Sequence, residues 1–147
     1  MDLTPSLLRA LTDGTFEAWV VAQGQPPFRR KQVERWVARA ATDFEQMSDL
    51  PASLRAALKR DFALRSSRVI RHLRDADGTE KLLLEWPDGA RIEGVLLREG
   101  HRRTICLSTQ VGCAMGCVFC ASGLDGLERN LTSEEILEQA LRLVECL

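Results

Sequence analysis

No stretch of this sequence is both apolar and long enough to cross a membrane, and the opening Met1-Asp2-Leu3-Thr4-Pro5 carries neither a basic run nor an apolar core. Neither a secretory signal nor a membrane span is expected, and the chain reads as cytoplasmic. Internal repeats and low-complexity segments are also missing, which sets aside repeat architectures and wholesale disorder. At 147 residues there is room for one ordinary domain, or for a small domain and the beginning of a second, but not for a complete large enzyme. Cysteines are few. Five are present, and in a reducing compartment a closely spaced group of them points away from disulfides and toward metal or redox chemistry.

What is there is globular: 45% apolar and 28% charged residues, with enough Leu, Val and Ala to bury a core. The net charge of -1 hides an asymmetry. Residues 1–74 hold 13 Lys and Arg against 8 Asp and Glu, and residues 75–147 hold 7 against 13. A basic front half is compatible with RNA, and equally with a solvated helix face.

Thr4-Pro5 offers a capping hydroxyl and a proline at the first helical position, ahead of Leu7, Leu8 and Leu11 at helical spacing. Phe16, Trp19 and Val20 continue this helix after a break near Gly14, and Gly24 with Pro26-Pro27 ends it. From Arg29 to Ala41, Val33, Trp36, Val37 and Ala40 share one face, while Arg29, Arg30, Lys31, Arg35 and Arg39 lie largely around the others. Pro51 opens a third helix with Leu54, Ala57, Leu58 and Phe62 on its face. Three helices with tryptophans inward are expected. Beyond Ser67, Asp77-Gly78, Asp88-Gly89 and Glu99-Gly100 separate β-branched and leucine-rich runs, the pattern of an antiparallel meander. A strand at Thr104–Ser108 then leads into a cysteine loop. Thr132-Ser133-Glu134-Glu135 is a capping box for a helix through Ile136, Leu137, Ala140, Leu141 and Val144. Strand, loop and helix together have the form of a first βα unit.

The segment Cys113-Ala-Met-Gly-Cys117-Val-Phe-Cys120 has CxxxCxxC spacing. Soft thiolates suit iron-sulfur clusters, and three of them on a short loop leave one iron of a [4Fe-4S] cluster open to a substrate or cofactor. Two other readings exist: a zinc site completed by His101 or Cys106, or three buried thiols acting as small hydrophobes.

CxxxCxxC with Phe119 before its last cysteine resembles the radical-SAM signature. The wider run from Thr104-Ile-Cys106 through Gly126-Leu-Glu-Arg129-Asn130-Leu131 resembles the RlmN/Cfr adenine methyltransferases. Phe28-Arg29-Arg30-Lys31-Gln32-Val33 with Trp36, then Asp43-Phe44, Met47, Leu50-Pro51 and Leu54-Arg55, is similar to that family's N-terminal helical RNA-binding domain. Asp77-Gly78-Thr79-Glu80-Lys81 is similar to its linking hairpin.

The resemblance implies an α+β fold in three parts: a helical RNA-binding domain at residues 1–65, a β meander at 66–103, and at 104–147 the start of a radical-SAM barrel of partial TIM type. It implies S-adenosyl-L-methionine chelated by the open iron of a [4Fe-4S] cluster on Cys113, Cys117 and Cys120, with Phe119 against its adenine. The implied reaction is methyl transfer to C2 of an adenine in 23S rRNA and in some tRNAs, driven by an external electron donor such as flavodoxin. In that reaction Cys106 resolves a protein–RNA adduct and Glu93 accepts a proton. Read without the resemblance, Cys106 is a buried strand cysteine and Glu93 a solvent-facing carboxylate. The family's methyl-carrying cysteine is expected after residue 147, Cys146 does not match its motif, and the chain is expected to be a fragment inactive by itself. A non-catalytic RNA-binding module and a structural zinc protein are the other classes the residues allow.

Overall fold

The computed structural model describes residues 4–120 and 124–147 and divides into two compact units, Met1–Ser66 and Ser67–Leu147.

The first unit holds four α-helices, α1 (Leu7–Asp13), α2 (Thr15–Ala22), α3 (Arg29–Ala38) and α4 (Ala52–Asp61), with a 3-10 turn at Phe44–Gln46 before α4. The first helix starts later than Thr4-Pro5 suggests. Its N-cap is Ser6, whose Oγ accepts from the Arg9 N–H at 3.4 Å. Residues 5 to 7 are committed elsewhere: Pro5 C=O accepts from Ala63 N–H, and Leu7 N–H donates to Ala63 C=O, both at 2.9 Å. That bridge holds the chain extended until Leu7. The break near Gly14 is complete, because at φ 81° this glycine ends α1 in the left-handed region and also precedes α2. One expected helix is therefore two. Leu7, Phe16, Val20, Val33, Met47 and Leu58 are fully buried between the helices.

The tryptophans of this unit are not at its centre. Trp19 stacks on Phe16 (5.4 Å between rings) and meets Phe62 edge-on (5.0 Å), while its Nε1–H donates to Asp61 at 3.0 Å. Trp36 likewise donates to Asp49 at 2.6 Å. An indole N–H needs an acceptor when covered, and surface carboxylates supply it, so both rings lie half-buried at the rim.

The second unit contains a four-stranded antiparallel sheet in sequential order, β1 (Arg68–Arg74), β2 (Glu80–Glu85), β3 (Arg91–Glu99) and β4 (Arg102–Cys106). The glycines of its three turns take φ of 83°, 87° and 54°, the conformation those Asp-Gly and Glu-Gly pairs favour. A two-stranded sheet of β5 (Gln110–Gly112) and β6 (Leu127–Asn130) follows, and then α5 (Ser133–Val144), opened by the Thr132–Glu135 capping box. Leu82, Leu84, Trp86, Ile92, Leu96 and Leu143 form the core. Gly94 makes room for the helix: a side-chain carbon there would lie 3.2 Å from Leu143 Cδ1.

The strand entering the cysteine loop pairs antiparallel with β3, Cys106 opposite Val95 and Thr104 opposite Leu97. It is thus the fourth strand of the meander. A two-residue connection from β3 permits only a hairpin, since parallel neighbours need a crossover of about a dozen residues.

Glu80 is buried at the start of β2, bonded to Arg98 at 2.7 Å and 2.6 Å from His72 Nε2. The Arg98 hydrogen bond holds its carboxyl below the ordinary 4.5, burial opposes this, and His72 adds to the lowering. A carboxyl lowered on folding contributes stability that is present above its unfolded pKa and is lost as pH falls through the folded one. Glu80→Gln is expected to lower stability at neutral pH and to flatten the loss below pH 4.5; urea midpoints measured from pH 7 to pH 3 check this, and parallel pH curves would contradict it.

Candidate iron-sulfur loop

The loop carrying Cys113, Cys117 and Cys120 leaves β5 and returns at β6. Its base is narrow. Gly112 has φ 74°, and a side-chain carbon on it would lie 2.0 Å from the Gly126 carbonyl oxygen. That same oxygen accepts from the Cys113 N–H at 2.9 Å, so entry and exit touch through backbone alone. Leu131 N–H donates to Thr109 C=O at 2.9 Å, and Gln110 Nε2–H donates to Asn130 at 2.8 Å.

The exit is fixed by Arg129 on β6. It reaches Glu135 in the first turn of α5 with two bonds of 2.8 Å and Asp88 of the β2–β3 turn at 2.7 Å. Glu135 first, and then Asp88, hold the guanidinium more firmly protonated than usual. The entry is fixed by Gln139 of α5, fully buried. Its Oε1 accepts from Ser108 N–H and its Nε2–H donates to Ser108 C=O, both at 2.9 Å. The sequence reading ran this helix through Ile136, Leu137, Ala140, Leu141 and Val144; Leu141 is buried, Leu137 and Val144 are partly exposed at 43% and 37%, and Glu138 and Gln139 are buried as well. Glu138 Oε1 accepts from the Ser67 N–H and Oγ–H at 2.6 Å. Such polar groups go inward where backbone outside a ladder supplies partners.

Beyond its base the described residues of the loop are largely exposed. Cys117 is exposed, Cys113 and Cys120 are partly so, and Phe119 is 90% exposed. All five cysteines are free thiols. The soft donor set of three thiols fits an iron-sulfur cluster, whose thiolates bind different irons.

The other two sequence-predicted residues share one surface. Cys106 lies opposite Val95 on β4, and Glu93 is two residues from Val95 on β3, so both side chains point to the sheet face away from α5. Both are exposed, and Glu93 lies 3.1 Å from Lys81. The reading of Cys106 as a buried strand cysteine does not hold, because β4 is an edge strand.

Residues 7–64 match the family described as ribosomal RNA large subunit methyltransferase N-terminal domain. Over 126 residues the chain is 59% identical to the probable dual-specificity RNA methyltransferase RlmN of Rhodopirellula baltica, covering 85% of this chain and 34% of that protein. The chain is similar to RlmN proteins over most of its length. Its counterpart in Moorella thermoacetica, also a probable dual-specificity RNA methyltransferase RlmN, is 50% identical over 92% of this chain and 40% of its own length. The crystal structure of a radical SAM methyltransferase from Sphaerobacter thermophilus superposes with a TM-score of 0.80 at 38% identity, covering 95% of this chain and 41% of that one. The chain thus spans between a third and about two fifths of the length of the RlmN relatives named here.

Proposed function

We propose that this chain supplies the cluster-holding and RNA-facing part of a cytoplasmic radical-SAM methyltransferase that modifies C2 of adenine in 23S rRNA and in some tRNAs. The observation that carries the reading is the three-thiol loop, braced at its base, its described residues beyond that largely exposed, in a chain 59% identical to an RlmN protein. Cys113, Cys117 and Cys120 would hold three irons of a [4Fe-4S] cluster and leave the fourth for S-adenosyl-L-methionine. The bound group supplies reductive cleavage of that cofactor, with electrons from a donor such as flavodoxin. The chain's own contribution is placement. Gly112, Arg129 and Gln139 fix the base from which the three thiols are presented. Phe119, exposed beside Cys120, offers an aromatic face to an adenine ring. Cys106 serves as the adduct-resolving thiol and Glu93 as the proton acceptor, on one sheet face.

Anaerobic reconstitution with iron and sulfide tests the reading. The parent chain should turn brown and take up about four irons and four sulfides. Cys117→Ala should lose most of both, and undiminished uptake would remove the loop from consideration.

RNA recognition is assigned to α3, with a narrower set of cations than its sequence offers. Arg30 is tied to Glu17 and Glu34, and Arg29 donates to Gln32 and to the Asp49 carbonyl, so these two brace the unit. Lys31 and Arg39 are exposed, and Arg35 keeps only a loose 3.8 Å approach to Asp49. These three are positioned for phosphates. Replacing Lys31, Arg35 and Arg39 together with Gln should reduce the log-log salt slope of RNA binding by about 2 to 3. Filter-binding titrations across a salt series measure it, and an unchanged slope would make the face solvation only.

A further inference from the structure

A second group of metal-binding side chains lies outside the cysteine loop, and neither the proposed cluster nor the proposed RNA surface uses it. His72 stands on β1, Glu80 begins β2, and Cys146 follows α5. The His72 imidazole nitrogen, a Glu80 carboxylate oxygen and the Cys146 sulfur all lie within 4.8 Å of one another. Register explains the meeting. Arg74 is opposite Glu80 and His72 opposite Leu82, so His72 and Glu80 are diagonal neighbours on the α5 side of the sheet. Cys146 packs against the core formed on that side.

We propose that His72, Glu80 and Cys146 form a mononuclear site for a divalent ion of the zinc class, separate from the cluster loop. The donors are one imidazole, one carboxylate and one thiolate, a set such ions accept with water in the fourth position. Geometry favours it, because Glu80 is buried and already aimed at both partners. His72 Nε2 lies 2.6 Å from Glu80 Oε2, so a proton now occupies the space where an ion would sit. Arg98 occupies the other oxygen, Oε1, at 2.7 Å, and can keep that bond while Oε2 turns to the metal. It also donates to the Cys146 carbonyl at 2.7 Å, fixing the residue that brings the sulfur. Coordination requires the thiol proton and the proton of the His72–Glu80 hydrogen bond to leave for the buffer, the freed nitrogen, oxygen and sulfur lone pairs to bind the ion, and no electron transfer. The bound ion would clip the end of α5 to the β1–β2 hairpin.

The test uses the full chain with Cys113, Cys117 and Cys120 changed to Ser, so that the loop cannot answer for the site. Titration with Co2+ should give a saturable thiolate-to-cobalt charge-transfer band at one ion per chain. Cys146→Ser should abolish the band. His72→Ala should weaken binding about tenfold or more, given that even outer-shell partners act on that scale. His72 is half-exposed, so its loss leaves the fold intact, and a metal-free thermal melt verifies this. Zn2+ should raise the melting temperature of the loop-substituted chain by clearly more than that of its His72→Ala derivative. A band that survives Cys146→Ser would place the metal on Cys106 and overturn the proposal. So would the lack of any saturable band, or a zinc effect on melting that His72→Ala leaves unchanged.

Discussion

Gly112→Ala is expected to open the base of the cysteine loop and to abolish most cluster uptake, although no cysteine is touched. The added carbon would sit 2.0 Å from the Gly126 carbonyl oxygen, a contact between two backbones with no flexible side chain to yield. Alanine at φ 74° adds backbone strain of about 1–3 kcal/mol. The least costly escape is to part β5 from β6, which breaks the Cys113 N–H to Gly126 bond and frees the loop ends. Hydrogen exchange at the Cys113 amide should accelerate at least about a hundredfold, the scale of losing roughly 3 kcal/mol of local protection. Iron uptake on reconstitution should fall toward the level of Cys117→Ala. An alanine variant with full iron and a protected Cys113 amide would show that the loop does not depend on its base.

Phe16→Ala is expected to cost the first unit about 3–5 kcal/mol, the range for removing a fully buried phenylalanine. Phe16 is 0% exposed, stacks on Trp19 and meets Phe62 edge-on at 5.7 Å, so one truncation removes the fully buried ring of a three-ring cluster. At about 0.05–0.15 kcal/mol per residue, a unit of this size has roughly 3–10 kcal/mol in all. The variant should be partly unfolded at 37 °C. Urea denaturation followed by tryptophan fluorescence measures the loss, and a loss below about 1.5 kcal/mol would mean that the neighbours close the cavity.

The cation sites differ in how far the sequence revealed them. The five cations between Arg29 and Arg39 were legible as a basic face, but their division was not. Arg30 is committed by Glu17, thirteen residues away on another helix, and no local pattern announces that pair. The buried Gln139 escaped for a similar reason. Helical periodicity marks a polar residue as outward, and only the unpaired Ser108 backbone, 31 residues distant, makes burial favourable. The strand at Arg102–Cys106 was found from its composition, but its pairing depends on the turn at Gly100–His101, which folds it back onto β3.

By itself, the sequence determined the helical front, the meander with its three glycine turns, the capping box at Thr132, and the CxxxCxxC loop. These are local properties: hydrophobic period, turn chemistry and ligand spacing act within about ten residues and need no partner. Tertiary structure alone decided that Gly112 must be glycine, that Arg129 and Gln139 brace the loop, and that Cys106 and Glu93 share an open face. It alone decided that His72, Glu80 and Cys146 meet. Each of these rests on contacts between segments far apart in the chain, where register and packing choose the neighbour and spacing along the sequence carries no trace of it.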